Sequence, residues 1–290
     1  SGSYGENILP VEVPCLRFVS EALMLRAFRL GAAGVALLGC AECPHGKRPL
    51  LMAKLDLVRS VLDAFGFGSE RLALIPASDG LLEAAVLSIA AFGASLGPPP
   101  LPDAPASRPD LTNREMLKDA LEVFMDAAGR EPGKVVQGTP LPFGEVRVNA
   151  EGCTLCGACV FVCPTHALGM HEASKPLVNE KTLQFHHLDC VACGMCVPAC
   201  PEKVVALARD LTVDADALSH RPKARDEMVL CAKCGREFIN KKALDTIMGR
   251  VLSLPQLGDT FAGERRDILK MCPDCRAAVA MQETHKGWVP

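Results

Sequence analysis

The chain has 290 residues, is 49% hydrophobic and carries a net charge of −3 at pH 7. That length suggests two or three domains with real cores. Near-neutral charge, with one Tyr and one Trp, argues against a nucleic-acid surface or a base-stacking platform.

Residues 8–95 alternate in type. The stretch 8–14 reads as a strand. Residues 20–30 read as a helix with Ser20 as N-cap and Gly31 as its stop. A buried strand at 34–38 precedes a helix over 50–65, where Leu51, Leu55, Val58, Leu62 and Phe65 fall at helical spacing. A third strand at 72–76 and a helix at 81–96 complete a βαβαβα order, which predicts a parallel sheet covered by helices. The last helix is apolar nearly all round, broken by Glu83, Ser88 and Ser95. It is short of the roughly 20 apolar residues of a membrane span, so burial, or packing on a partner, is expected.

Three cysteines belong to this region: Cys15 after the first strand, and Cys40 and Cys43 after the second. Both loops are expected at the carboxyl ends of adjacent strands, where such folds place ligands. Convergent thiolates there suggest a [2Fe–2S] cluster, one ligand short of the usual four. His45, or a residue before Ser1, would supply the fourth; the alternative is a set of buried structural cysteines. The stretch VPCLRFVSEALMLRAFRLGAAGVALLGCAEC, with RLALIPASDG after it, resembles the delta subunit of methyl-viologen-reducing hydrogenases over about residues 8–90. The resemblance implies a [2Fe–2S] cluster and a place between a hydrogenase and a heterodisulfide reductase. The Gly-Cys loop here is shorter than in that family, and the family's earlier strand with its cysteine is missing. The chain opens on Ser1-Gly2-Ser3 without Met, which reads as an expression scar, a processed end or the edge of a larger polypeptide.

The proline-rich segment 97–109 reads as a semi-rigid linker. An amphipathic helix follows over 111–128, with Leu117, Leu121 and Phe124 on one side; it is expected to dock on a flanking domain. Residues 130–142 read as a second linker and 143–148 as a strand.

Two runs then share one spacing. Cys153, Cys156, Cys159, Cys163 and Pro164 form C-x2-C-x2-C-x3-C-P, and Cys190, Cys193, Cys196, Cys200 and Pro201 repeat it at an offset of 37. Soft thiolates in this triplet-plus-one spacing suit a [4Fe–4S] cluster. Zinc sites do not use it, and disulfides would need an oxidising compartment. Gly157 and Gly194 recur where the backbone must approach a cluster closely. The segment, about 143–212, resembles the two-cluster bacterial ferredoxins. The resemblance implies that the fourth cysteine of each run ligates the other cluster. On that pattern Cys153, Cys156, Cys159 and Cys200 hold one cubane, and Cys190, Cys193, Cys196 and Cys163 the second. His171, His186 and His187 lie in the connection and are expected at the surface or behind the ligands.

In the tail, Cys231-x2-Cys234 and Cys272-x2-Cys275 are knuckle-like pairs, and two such pairs make a four-cysteine site of the structural zinc type; iron is the alternative. A helix over 241–252 lies between them, so a zinc-ribbon or treble-clef-like module is expected. Lys241, Lys242, Arg250, Arg265 and Arg266 are offset by Asp245, Asp259, Glu264 and Asp267.

The fold class expected is α/β plus α+β: an N-terminal parallel βαβ domain (1–96), a linker and helix (97–142), a ferredoxin-like two-cluster domain (143–212), a linker (213–227) and a small zinc-binding module (228–290). The 15 cysteines fall in metal-type groups, which points to a reducing cytoplasm. No stretch has the pattern of a signal peptide. No phosphate loop, dinucleotide fingerprint or nucleophile elbow is present, so no bond chemistry is assigned to this chain. The leading expectation is an electron-transfer subunit docked to redox proteins: a flavoprotein, a hydrogenase or a heterodisulfide-reductase-like protein. It has no nucleic-acid partner and no membrane span, and reaches a membrane only through a partner. The alternatives are a subunit contributing to a catalytic flavin or substrate site, and a redox-sensing zinc and iron–sulfur regulator.

Overall fold

The computed structural model describes residues 7–40, 48–77, 82–101, 108–137, 142–175, 178–261 and 263–286. The chain divides into two units, one of Ser1–Glu145, His187–Ala192 and Arg209–Ser219, the other of Val146–His186, Cys193–Ala208 and His220–Pro290.

In the first unit, α1 (Glu21–Arg29) starts where the Ser20 hydroxyl accepts the Leu23 N–H at 3.2 Å and stops before Gly31 at φ +92°. It is followed by β1 (Val35–Cys40), α2 (Arg48–Phe65), β2 (Leu72–Ala77) and α3 (Leu82–Ser95). β1 and β2 pair in parallel, from Val35 opposite Leu72 to Cys40 opposite Ala77. The strand expected at 8–14 does not form, so the described sheet has two parallel strands, not three. Pro10 and Pro14 offer no N–H to a ladder, and Leu9 and Val11 are 88% and 76% exposed, leaving no apolar face to bury. Nor is α3 buried: among its described side chains only Ala85 is, and Leu87 is 70% exposed.

The predicted amphipathic helix is α4 (Asn113–Ala128), opened by a reciprocal box between Thr112 and Glu115 and closed by Gly129 at φ +59°. It buries Met116, Leu117, Ala120, Leu121 and Phe124. Phe124 meets Phe65 and Phe67 edge-on at 5.5 and 5.1 Å. Arg29 of α1 forks onto Asp119 at 2.9 and 3.2 Å. This core also takes in Leu188, Leu211 and Val213. The stretch 130–142, expected as linker, contains β3 (Gly133–Gln137), paired antiparallel with β8 (Asp210–Val213).

In the second unit, β4 (Glu145–Val148) pairs with β7 (Val205–Ala208). A one-turn helix, α5 (Ala158–Phe161), lies within the first cysteine run. The interval between the runs is a long hairpin, β5 (Leu168–Lys175) and β6 (Val178–His186). β9 (His220–Leu230) and β10 (Glu237–Asn240) extend it to a sheet of order β10-β9-β6-β5. Residues 220–227, read as linker, are therefore strand. After them come α6 (Lys241–Ser253), as expected, α7 (Pro255–Thr260) and α8 (Pro273–Lys286). Among the described residues no helix is long and apolar enough to cross a membrane.

Candidate iron–sulfur and metal centres

The two cysteine runs repeat in backbone conformation as well as in spacing. Left-handed residues occur at Leu155, Gly157 and His166 (φ +51°, +81°, +54°) and again at Ala192, Gly194 and Lys203 (φ +54°, +79°, +55°). Non-glycine residues rarely adopt this region; here it recurs at the 37-residue offset in all three places. The hydrogen bonds follow. Val160 N–H donates to Gly157 O at 3.0 Å and Val197 N–H to Gly194 O at 3.1 Å; Cys163 N–H donates to Val160 O at 3.1 Å and Cys200 N–H to Val197 O at 3.3 Å. Burial repeats too: Cys153, Cys159, Cys190 and Cys196 are buried, Cys156 and Cys193 exposed, and Cys163 and Cys200 intermediate. The short-range geometry of the loop is thus set twice by the same residue pattern.

Cys153, Cys156, Cys159 and Cys200 line one concavity, floored by Leu155, Met170, Leu183 and Val205. Its lining is the donor set a cubane takes, with apolar neighbours that keep water from sulfur. Burial pushes the Cys159 thiol up to about 12, and the nearby thiols of Cys153, Cys156 and Cys196 add to it. Burial also raises Cys153, against the Leu155 N–H and the Lys242 ammonium. A cationic guest would favour the thiolate forms of Cys153 and Cys159 against that burial. Val204 N–H points at Cys200 Sγ at 3.5 Å. Of the other run, Cys190 belongs to the first unit and Cys193, Cys196 and Cys163 to the second.

The histidines behave differently from one another. His171 is exposed. His187 is fully buried: its Nδ1 meets Glu145 Oε2 at 3.0 Å and its Nε2 accepts the Thr212 N–H at 3.0 Å, which makes Nδ1 the donor. Its carbonyl accepts the Cys190 N–H at 3.1 Å. His186 is buried and packs edge-on against His220, centroids 5.1 Å apart.

The tail cysteines come together. Sulfur atoms of Cys231, Cys234, Cys272 and Cys275 all lie within 4.8 Å of one another, and Cys234 and Cys272 are 3.8 Å apart. The first pair sits in the turn between β9 and β10, where Gly235 at φ +71° bonds back to Cys231 O at 2.9 Å. The second pair flanks the start of α8, so Cys275 lies in its first turn, where a helix favours negative charge. For Cys231, burial acts upward, but N–H groups of Cys272, Cys234 and Lys233 outweigh it and bring the thiol down to about 6. Cys275 is pushed up to about 12 by burial and by its three sulfur neighbours. Cys231 and Cys275 are thus driven in opposite directions within one group of sulfurs, a conflict that a metal ion removes. Arg236 reaches Cys272 Sγ at 3.9 Å and Asp274 at 2.6 Å, a cation beside the thiolates.

Three of the five cations that the sequence offered to a nucleic acid are engaged otherwise. Lys242 Nζ donates to Ala150 O at 2.8 Å, Arg250 to Glu202 at 2.7 Å, and Lys241 pairs with Asp245 at 3.8 Å. Only the Lys241–Asp245 pair, four residues apart on a helix, has a local signature; the contacts of Lys242 and Arg250 join residues far apart in sequence.

Cys15 is exposed and caps a 3-10 turn, Leu16–Phe18. Leu16 fills the space that a Cβ on Gly39 would need, so the Cys15 turn runs beside the end of β1 that carries Cys40. Cys43 and His45 lie outside the described residues.

Comparison with known families takes in both cysteine runs and the N-terminal region. Residues 152–204 match the 4Fe-4S dicluster domain, and residues 1–96 match methyl-viologen-reducing hydrogenase, delta subunit. No curated protein is a significant match to the chain. The chain thus carries a 4Fe–4S dicluster domain and a domain of the methyl-viologen-reducing hydrogenase delta-subunit family, with a four-cysteine metal-binding group in its tail.

Proposed function

We propose that this chain is an iron–sulfur electron-transfer subunit that relays single electrons between redox partners in a larger hydrogenase- or heterodisulfide-reductase-like complex. The observation that carries the reading is the concavity ringed by Cys153, Cys156, Cys159 and Cys200, three cysteines of one run and the last of the other. That is the crossed ligand set of a two-cluster ferredoxin. By the repeat, Cys190, Cys193, Cys196 and Cys163 hold the second cubane. A bound [4Fe–4S] cluster supplies one-electron carriage; the chain's own residues supply eight thiolates, left-handed turns that bring N–H groups to sulfur, and apolar cover.

The tail site takes zinc. A tetrahedron with Zn–S of about 2.3 Å has an edge of about 3.8 Å, the separation of Cys234 and Cys272. Cys15, Cys40 and Cys43 hold a [2Fe–2S] cluster with a fourth ligand from His45 or from before Ser1, supported by the family match and by the Cys15 turn lying beside the end of β1. The apolar, exposed face of α3 is suited to a partner subunit. The domain limits 1–96, 143–212 and 228–290 and a cytoplasmic location belong to the same proposal.

The test is iron, zinc and acid-labile sulfide content of anaerobically purified chain, with EPR after reduction. About eight irons and one zinc support two cubanes and a zinc site; about ten irons with a [2Fe–2S] signal add the N-terminal cluster. Four irons or fewer would overturn the ferredoxin reading.

A further inference from the structure

Two loops that repeat in dihedral, hydrogen bonding and burial would be expected to hold clusters of similar potential. What surrounds them does not repeat. At the Cys190 loop, α4 brings in two cations one turn apart. The half-buried guanidinium of Arg114 donates to Pro142 O at 2.6 Å and to Cys190 O at 3.4 Å, and lies over the Phe143 ring, 4.6 Å from its centroid. Lys118 Nζ reaches Asp189 Oδ1 at 2.5 Å and neutralises the carboxylate next to Cys190. At the matching Cys153 side the described cations are Lys242, a lysine that binds Ala150 O three residues before the cysteine, and the largely exposed Arg250, which pairs with Glu202 at 2.7 Å. An arginine held by two carbonyls and a ring is an always-charged group fixed against a ligand's own peptide. A partly solvated ammonium farther along the loop is weaker, because solvent screens it.

We infer that Arg114, with Lys118 silencing Asp189, is a potential-setting residue: it makes the cluster that takes Cys190 the higher-potential cubane and so gives the relay a direction, from the Cys153 side to the Cys190 side. This rests on the ligand assignment proposed above. One electron arrives from a reduced redox protein and leaves to an oxidised one; no bond forms or breaks, and Arg114 keeps its proton. Its positive charge favours the reduced cluster, since local net charge is one of the influences that set iron–sulfur potentials. Arg114 does not touch the cluster. It acts through Cys190 and through the field it places there.

The test is an EPR-monitored potentiometric titration of the anaerobically purified, cluster-replete full chain. Wild type is compared with Arg114→Gln, Arg114→Lys and Lys118→Gln, and a Cys193→Ser variant assigns the two signals. In Arg114→Gln the reduced-to-oxidised ratio of the Cys190-side cluster at fixed potential should fall about tenfold, which for one electron is about 59 mV. The other cluster should stay where it was. Arg114→Lys, which keeps the charge but loses the fork and the stack, should retain most of the potential. Lys118→Gln should lower the same cluster, and it carries the test if Arg114→Gln does not assemble that cluster. The inference is overturned by no shift, by an equal shift of both clusters, by Arg114→Lys shifting as far as Arg114→Gln, or by the Cys190-side cluster being the lower of the two in wild type. Fewer than about eight irons in wild type would instead bring down the two-cubane reading, a separate failure seen in the same samples.

Discussion

Stripping the proposed zinc should unfold the tail while leaving the first unit intact. Among the described residues from Cys231 onward, the buried apolar side chains besides two of the cysteines are Leu244 and Leu269, 7% and 5% exposed. Two buried leucines contribute about 3–6 kcal/mol together. A structural zinc in a small module contributes about 10–16 kcal/mol at neutral pH. The metal therefore outweighs the apolar burial by roughly two- to fivefold. The first unit stands differently: Phe28, Leu55, Val58, Leu62, Phe65, Leu121 and Phe124 share one core there. The assay is peptide-resolved hydrogen exchange on the full chain, with and without a strong zinc chelator and with Cys272→Ser. Amides of α6, β10 and α8 should lose protection, and those of α4 should keep it. Residues 150–155 should also exchange faster, because Lys242 no longer holds Ala150 O. Zinc-free protein with unchanged exchange over 231–286 would refute the reasoning and return the module's stability to packing.

Three further outcomes are expected. Cys200→Ser and Cys156→Ser should each abolish the same EPR signal and leave about four irons, whereas Cys163→Ser should abolish the other signal; loss of one signal by both fourth cysteines would contradict the crossing. Replacing His187 by Ala should lower stability by about 2–4 kcal/mol in chemical denaturation, since it empties a fully buried ring site and takes an acceptor from the Thr212 N–H and a donor from the Glu145 carboxylate. Acid should weaken α4 at its start. The Thr112 N–H and hydroxyl hold the Glu115 carboxyl below its usual range, so this contribution is present above the unfolded Glu pKa and is lost as pH falls through the lower folded value. Glu115→Gln should remove that part of the acid sensitivity in a pH series of thermal melts.

The parts legible in the sequence are those fixed by short spacings. The turns of the cysteine triplets, the knuckle pairs, the Ser20 cap and the Gly31 stop depend on residues a few positions apart, and all of them appear in the fold. What escaped depends on distant partners. β3 follows a Pro and sits in a stretch that reads as linker; its ladder partner β8 starts at Asp210. β9, HRPKARDEMVL, has almost no apolar alternation. It is held by its backbone ladders to β6 and β10, and Arg225 reaches across to Glu180 at 3.4 Å. Conversely 8–14 has a strand's composition without a strand's partner, and its two prolines weigh more than its alternating apolar residues.

The same division separates how a cluster would be held from how it would be tuned. The loop geometry of each cysteine triplet is local, so duplicating 37 residues duplicates it, down to left-handed Leu155 and Ala192. Charge around the ligands comes from elsewhere in the chain and need not duplicate. α4 reaches Asp189 and Cys190 because Phe124 and Asp119 lock it against α2 and α1. α6 reaches Ala150 and Glu202 because Asp226 of β9 accepts the Lys242 N–H at 2.6 Å and the Asn240 amide at 2.8 Å, fixing the helix start to the sheet grown from the repeat's own hairpin. Asp226→Ala should therefore act on the Cys153 side alone: it frees Lys242, lowers that cluster's potential and leaves the Cys190-side signal unmoved. Equal movement of both signals in an EPR titration would mean that the accessory helices support the domain as a whole and do not tune its halves separately.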